Sequence, residues 1–245
     1  MINYRLELSY DGTRYHGWQR LKNNENTIQG KVEEVLSRIL GEHTEVTASG
    51  RTDAGVHARC QVCSFKTESN ISADEILQEL RKYLPKDIGA LALEKADERF
   101  HARYNCKEKT YMYRIRTSDV PNVFERNFFY RYNQKLDINE IKSAAAIIEG
   151  THEFTAFTTD KHLKKSAVRT IKEIRIESTD EEIRIFVTAD GFLWNMVRII
   201  VGTLLDVGSG KIKSEDVADI LDSGIRENAG FTAPACGLTL YEVKY

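Results

Sequence analysis

The sequence predicts an α+β fold with a mainly antiparallel sheet, and three observations carry that prediction. Runs that alternate apolar and polar residues are interspersed with runs of helical spacing, yet no strand–helix–strand rhythm repeats along the chain. Residues 171–187 read as two strands joined by a polar turn, the pattern of an antiparallel hairpin. The two halves of the 245-residue chain are alike in length and content, with no low-complexity linker between them. They are read as packed subdomains, 1–104 and 105–245.

Taken in order, Ile2, Tyr4, Leu6, Leu8 and Tyr10 alternate as a half-buried strand that Asp11-Gly12 turns. Ile28, Val32, Val35, Leu36, Ile39 and Leu40 recur at helical spacing, and Gly41 stops that helix. A cysteine-bearing strand covers 61–65. Ser72-Ala73-Asp74-Glu75 then opens a helix as a capping box, and Pro85 ends it. A short strand lies near Leu91 and Leu93. In the second half Tyr111, Tyr113 and Ile115 alternate on a strand. Asp137 caps a helix reaching Glu149, with Glu140 as its box partner and Gly150 as its stop. The hairpin places Ile171, Ile174 and Ile176 on one strand and Ile183, Ile185 and Val187 on the other. A long apolar helix over 195–207, a short helix over 214–223 and a strand over 238–243 complete the chain.

A net charge of −2 argues against a polycation that binds acidic partners non-specifically, so any acidic partner must be met by a local basic patch. Two clusters qualify. Residues 99–116 carry Arg99, Arg103, Lys107, Lys109, Arg114 and Arg116 against Glu108 alone; residues 161–175 carry Lys161, Lys164, Lys165, Arg169, Lys172 and Arg175 against Glu173 alone. Phe100, His101, Tyr104, Tyr111 and Tyr113 interleave the first cluster and are rings able to stack on bases. Solvated faces or a lysine-guarded strand edge fit the same charges. The chain begins directly in a strand pattern, without the basic and apolar regions of a signal peptide. Its most apolar stretch, 192–207, is interrupted by Asn195, Arg198 and Asp206 and is too short to span a bilayer. Cys60 and Cys63 stand three apart on a strand and so point to opposite faces. No second pair completes a zinc site, and reduced, cytosolic thiols are the expectation.

One loop concentrates reactive chemistry: Ser49-Gly50-Arg51-Thr52-Asp53-Ala54-Gly55-Val56-His57-Ala58-Arg59. Glycines on both sides of Asp53 allow tight turns and close approach by another molecule. Arg51, Arg59 and His57 surround a short acid able to act as nucleophile or general base. A turn in which Asp53 caps a backbone N–H fits the same residue types. Gly208-Ser209-Gly210-Lys211 is not a P-loop, because Leu205 stands where its first glycine belongs.

Further segments complete a pattern. Tyr10-Asp11-Gly12-Thr13-Arg14-Tyr15-His16-Gly17-Trp18-Gln19 precedes the Asp53 loop. Lys109-Thr110-Tyr111-Met112-Tyr113-Arg114, Asn195-Met196-Val197-Arg198-Ile199-Ile200-Val201-Gly202 and Ala233-Pro234-Ala235-Cys236-Gly237-Leu238 follow it. In that order, across essentially the whole chain, the set resembles the tRNA pseudouridine synthase A family (TruA). The resemblance implies an isomerase that converts uridine to pseudouridine in the anticodon stem-loop of tRNA, at positions thirty-eight to forty. It also implies the pseudouridine synthase fold, with two α+β subdomains meeting over a central antiparallel sheet. A cytoplasmic homodimer with no metal and no organic cofactor goes with it. By the same resemblance Asp53 falls at the catalytic aspartate and Arg51 at the arginine that helps displace the target base. Tyr111 matches the tyrosine packed on the base, Arg198 the basic partner of the aspartate, and Leu238 the apolar residue beneath the uracil. His57 is given no chemistry and is read as stabilising the loop.

The chain departs from the family pattern at Trp194-Asn195, where Tyr-His is common. It also departs at Arg20, with one residue fewer before the usual second Gln, and at Cys60 and Cys63. The chemistry is consistent with the residues. Breaking an N-glycosidic bond, rotating the uracil and rejoining it through carbon-5 needs no redox step. It does need an ionised carboxylate, which a neighbouring guanidinium favours. A stacked or paired target base must also be flipped out, and Arg51 can fill the space it leaves. A non-catalytic RNA-binding protein and a hydrolytic N-glycosidase share parts of this pattern.

Overall fold

The computed structural model describes residues 1–22, 26–161 and 166–245. Lys164 and Lys165 of the second basic cluster lie outside the described residues. Its elements are β1 (Ile2–Tyr10), α1 (Ile28–Leu40), β2 (Thr47–Ala48), β3 (His57–Thr67), α2 (Ala73–Tyr83) and β4 (Ile88–Lys95). After these come β5 (Glu108–Arg116), β6 (Tyr130–Arg131), α3 (Ile138–Ile148), β7 (Gly150–Glu153), β8 (Val168–Ser178) and β9 (Glu182–Ala189). Then α4 (Met196–Gly208), α5 (Asp216–Ser223) and β10 (Leu238–Lys244) close the chain. The architecture is α+β. No helix among the described residues is long and apolar enough to cross a membrane.

The chain divides into two compact units, one of Met1–Lys107 with Thr239–Tyr245 and one of Glu108–Leu238. The first unit has strands in the order β4-β1-β3-β10, with β2 on β3. Its pairs are antiparallel except β10 with β3, where Thr239 and Leu240 run parallel to His57 and Ala58. That pairing is why the last seven residues group with the first unit rather than with the half that precedes them in the chain. Alternation on β1 sends Tyr4, Leu6 and Leu8 fully inside. They share the core with Ile28, Val32 and Leu36 of α1 and Ile76 and Leu80 of α2. Both helices have the ends their sequences specify. Gly41 closes α1 in the left-handed conformation at φ 73°, and Ser72 and Glu75 form both bonds of the capping box on α2.

The second unit has the order β5-β9-β8-β7, all antiparallel, with β6 parallel to β5. Asp137 caps α3 by accepting from the N–H groups of Asn139 and Glu140. Glu140 does not return the bond; its carboxylate accepts from Ser214 Oγ at 2.7 Å instead. Helix α3 packs against α4 at Gly208, where a Cβ would stand 2.6 Å from Ile141 Cδ1. Every residue of α4 except Arg198 is buried. A helix buried almost all round is a core element, and it presents this one cation from a rigid base.

Candidate active site

Asp53 and Arg51 lie on the loop between β2 and β3 in the first unit. Asp53 is half-buried and Arg51 exposed. The loop is laid directly on the segment after β1. Trp18 N–H donates to Thr52 O at 2.9 Å, Gly55 N–H to Tyr15 O at 3.3 Å, and Val56 N–H to Asp53 O at 3.1 Å. Backbones approach this closely because the facing residues are glycines. A Cβ on Gly12 would sit 2.0 Å from Val56 O, and one on Gly17 would sit 2.7 Å from Thr52 O. Gly17 also holds φ at +90°, and Gly55 at +78°. The two motifs thus form one structure, with the Tyr10–Trp18 side as the bed of the Asp53 loop.

Buried side chains close the loop from beneath. Tyr10 Oη and Thr52 Oγ1 share a hydrogen bond of 2.9 Å. Gln61 Nε2 donates to Gly50 O at 2.8 Å, and Gln61 Oε1 accepts from Ser49 Oγ at 2.7 Å. His57 is buried, and its Nδ1 accepts from Gly12 N–H at 3.0 Å, in keeping with a role in holding the loop. Gln61 was not apparent as a site-shaping residue from its strand pattern. A polar residue between apolar positions of a core strand was the available signal. Arg59 lies over the Tyr241 ring at 5.0 Å and donates to its hydroxyl at 3.2 Å. Cys63 is buried and Cys60 half-buried on β3. Burial pushes both thiols up, away from the thiolate form that reacts or binds metal.

Tyr111, Arg198 and Leu238 belong to the second unit. Tyr111 is buried on β5 opposite Val187 of β9, its ring edge-on to Phe192 at 5.1 Å. Arg198 leaves α4 with its Nε donating to Ala233 O at 2.7 Å and its Nη1 donating to Asn195 Oδ1 at 2.7 Å. Ala233 N–H in turn donates to Arg198 O at 3.1 Å. The strap over 229–233 lies close on α4 at Gly202 and Gly230. A Cβ on Gly202 would fall 1.7 Å from Phe231 O, and Gly230 N–H donates to Thr203 Oγ1 at 2.9 Å. Farther along, Pro234 O accepts from Tyr113 Oη at 2.8 Å, and Gly237 packs against the Tyr113 ring. Leu238, buried, ends this segment. Residues 233–238 therefore tie the Arg198 helix, the Tyr111 strand and Leu238 together. Tyr113 emerges as the support of that segment.

The basic clusters change character once the strands are paired. Arg114 is bound by Glu182 and Glu125, Arg116 by Glu181, Lys172 by Glu108 and Arg175 by Glu177. Arg99, Arg103, Lys107 and Tyr104 remain exposed on the first unit.

Residues 8–105 and 144–245 match the family model described as tRNA pseudouridine synthase. The chain is 46% identical to tRNA pseudouridine synthase A of Bacillus sp. (strain KSM-64), over all of both chains. It is also 46% identical to tRNA pseudouridine synthase A 2 of Clostridium perfringens and 43% identical to tRNA pseudouridine synthase A of Acetivibrio thermocellus, again over full lengths. Among solved structures, a chain of an archaeal box H/ACA sRNP Nop10–Cbf5 complex matches 96% of this chain and 59% of its own length, at 13% identity and TM-score 0.37. That likeness is too distant to bear on the site. The full-length matches to named synthases, together with the ordered motifs that build the Asp53 loop and the Arg198 helix, place this chain in the tRNA pseudouridine synthase A family, the isomerases that convert uridine to pseudouridine in tRNA.

Proposed function

We propose that this enzyme acts on uridines of the tRNA anticodon stem-loop, at positions thirty-eight to forty, with Asp53 as its catalytic carboxylate. The observation that carries the reading is the construction of the Asp53 loop. Two glycine-containing segments lock its backbone while Asp53 stays half-buried and Arg51 exposed. Such a loop holds a short acid in a set position, which chemistry at a sugar requires.

In the proposed reaction the N-glycosidic bond breaks, the detached uracil turns, and carbon-5 joins the sugar as its hydrogen leaves as a proton. A carboxylate near the sugar either attacks it or removes a proton from it, and both routes need Asp53 ionised. Arg198 is proposed as the basic partner that favours that form. Arg51 fills the helical space left by the flipped base, Tyr111 packs on the uracil and Leu238 lies beneath it. Arg99, Arg103 and Lys107 supply phosphate contacts, so tRNA affinity falls with salt. A cytoplasmic homodimer is part of the same proposal.

Asp53→Asn tests the reading. Release of tritium from tRNA labelled at carbon-5 of uridine is expected to fall by about a thousandfold or more, since the variant removes the charge the chemistry needs. Binding of tRNA, read by filter retention, stays within about threefold. An active Asp53→Asn enzyme removes Asp53 from the chemistry. Free uracil in place of pseudouridine identifies a glycosidase.

A further inference from the structure

Asn195 is the one non-glycine residue with a positive φ, 61°, among the described residues. It stands at the N-cap of α4, where asparagine ordinarily turns its side chain onto the first backbone N–H groups. Here the side chain makes no capping bond. Its Nδ2 donates to Thr159 Oγ1 at 2.8 Å, and its Oδ1 accepts from Arg198 Nη1 at 2.7 Å. The preceding peptide is anchored on the same side. Trp194 O accepts from Thr158 Oγ1 at 3.0 Å and from Thr159 N–H at 3.4 Å. A backbone conformation that L-residues rarely adopt is thus combined with a cap left unmade, and both ends of the amide go elsewhere. Strain of this kind persists where the surroundings over-determine it, and it gathers at functional sites.

We propose that Asn195 is a positioning residue for the isomerase reaction: anchored by Thr159, it sets the plane of the Arg198 guanidinium. The inference rests on the reading of Arg198 as partner of the catalytic carboxylate. A guanidinium is a planar fork, so fixing two of its three nitrogens fixes where the third points. Arg198 Nε is held on Ala233 O, and its Nη1 is held on Asn195 Oδ1 one helical turn before it. Without the amide, the guanidinium loses its hold at Nη1 and the long side chain regains torsional freedom, while Ala233 O still accepts from Nε. Thr159 serves the same end from one step back, because its hydroxyl decides which way the amide faces.

Three variants separate this role from a role in folding. Asn195→Gly keeps the backbone conformation, which glycine adopts without strain, and removes the amide. Thr159→Val removes the hydroxyl, and Thr159→Ser retains it. Turnover and tRNA KM are read by tritium release, and Tm by thermal melting. Asn195→Gly and Thr159→Val are each expected to lower kcat about tenfold or more, at unchanged KM and with Tm within about 2 °C of wild type. The double variant falls no further than the worse single one, as expected for two parts of one device. Thr159→Ser recovers kcat to within about threefold of wild type. Wild-type kcat in Asn195→Gly beside an inactive Arg198→Ala overturns the inference and leaves the reading of Arg198 standing. Full activity in Arg198→Ala overturns that reading, and the inference with it. A loss in Asn195→Gly that comes with a lower Tm and a raised KM assigns Asn195 to folding alone and overturns the inference too.

Discussion

Asp53 and Arg198 are held by different means. The Asp53 loop is fixed chiefly by main chain on main chain, with Gly12 and Gly17 set so close to Val56 O and Thr52 O that no side chain fits between. Arg198 projects from a rigid helix and is fixed by side-chain and carbonyl partners, Asn195 Oδ1 and Ala233 O. The first arrangement places a short acid that has few torsions to control. The second restrains a long side chain that has many. The physical lesson is that the two should fail differently. Backbone packing fails all at once when a methyl group is inserted, whereas a hydrogen-bonded guanidinium loses precision one partner at a time.

Gly17→Ala tests the first half of that contrast and carries the largest expected effect. The new Cβ would lie 2.7 Å from Thr52 O and 3.1 Å from Ala54 N, on a residue at φ +90°. Left-handed strain and overpacking together cost about 3 kcal/mol. That lowers Tm by about 6–12 °C in a chain of this size. Turnover measured well below the transition is expected to fall by about a hundredfold, because the inserted group pushes on the peptide next to Asp53. Gly41→Ala is the control. Gly41 is also left-handed, at φ +73°, but nothing lies within 4 Å of its would-be Cβ. It should cost about 1 kcal/mol and leave turnover unchanged. Equal effects on turnover at the two sites would mean that close approach at Gly17 does not position Asp53.

Much of this was legible in the sequence, because local rules decide helices and turns. Gly41, the Ser72–Glu75 capping box and the 171–187 hairpin are specified by residues next to one another. What could not be read was set by strand pairing and by the partners of buried polar groups. The 99–116 cluster holds six cations against one acid in the sequence, but the turn into β9 and its first residue bring Glu181 and Glu182 beside Arg116 and Arg114. The parallel pairing of β10 with β3 left no local mark, since alternation is the same in either direction. Asp53, Arg51, Tyr111, Arg198 and Leu238 were visible as motif residues. Their supports, Gln61, Thr159 and Asn195, act through bonds that no spacing encodes. Asn195 in particular stood out only as a departure from the usual Tyr-His pair.

Tyr113→Phe probes the second arrangement at a smaller scale. The Tyr113 hydroxyl, buried and pushed well above its ordinary pKa by that burial, donates to Pro234 O at 2.8 Å. Phenylalanine keeps the ring that packs on Gly237 and leaves the Pro234 carbonyl unpartnered by that hydroxyl. A cost of about 1–2 kcal/mol is expected, seen as a shift of a few degrees in Tm. The effect on kcat should be graded, about three- to tenfold, because Ala233 still holds Arg198 while the segment leading to Leu238 loosens. A collapse as large as that in Gly17→Ala would erase the distinction between the two kinds of support.

Glu182 offers the mildest test, of charge pairing away from the proposed catalytic groups. It lies on β9 opposite Arg116 in register, yet its carboxylate accepts from the Nε of Arg114 and of Arg184, each at 2.7 Å. Burial works against ionising this carboxyl, but the bonds from Arg114 and then Arg184 outweigh it and bring the pKa down from 4.5 to about 2. The sign follows from that depression. The pair stabilises the folded protein in full above pH 4.5, and the contribution drains away as pH falls towards 2, where the folded carboxyl itself takes up a proton. Glu182→Gln should therefore be slightly less stable than wild type near neutral pH. The gap in denaturation midpoint should close progressively below pH 4.5. Turnover at neutral pH should match wild type, because nothing in the path from α4 through Ala233 to Leu238 runs through this pair. A gap that stays constant down to the acid limit would show that the glutamate contributes by packing, and that charge pairing on this hairpin adds no stability of its own.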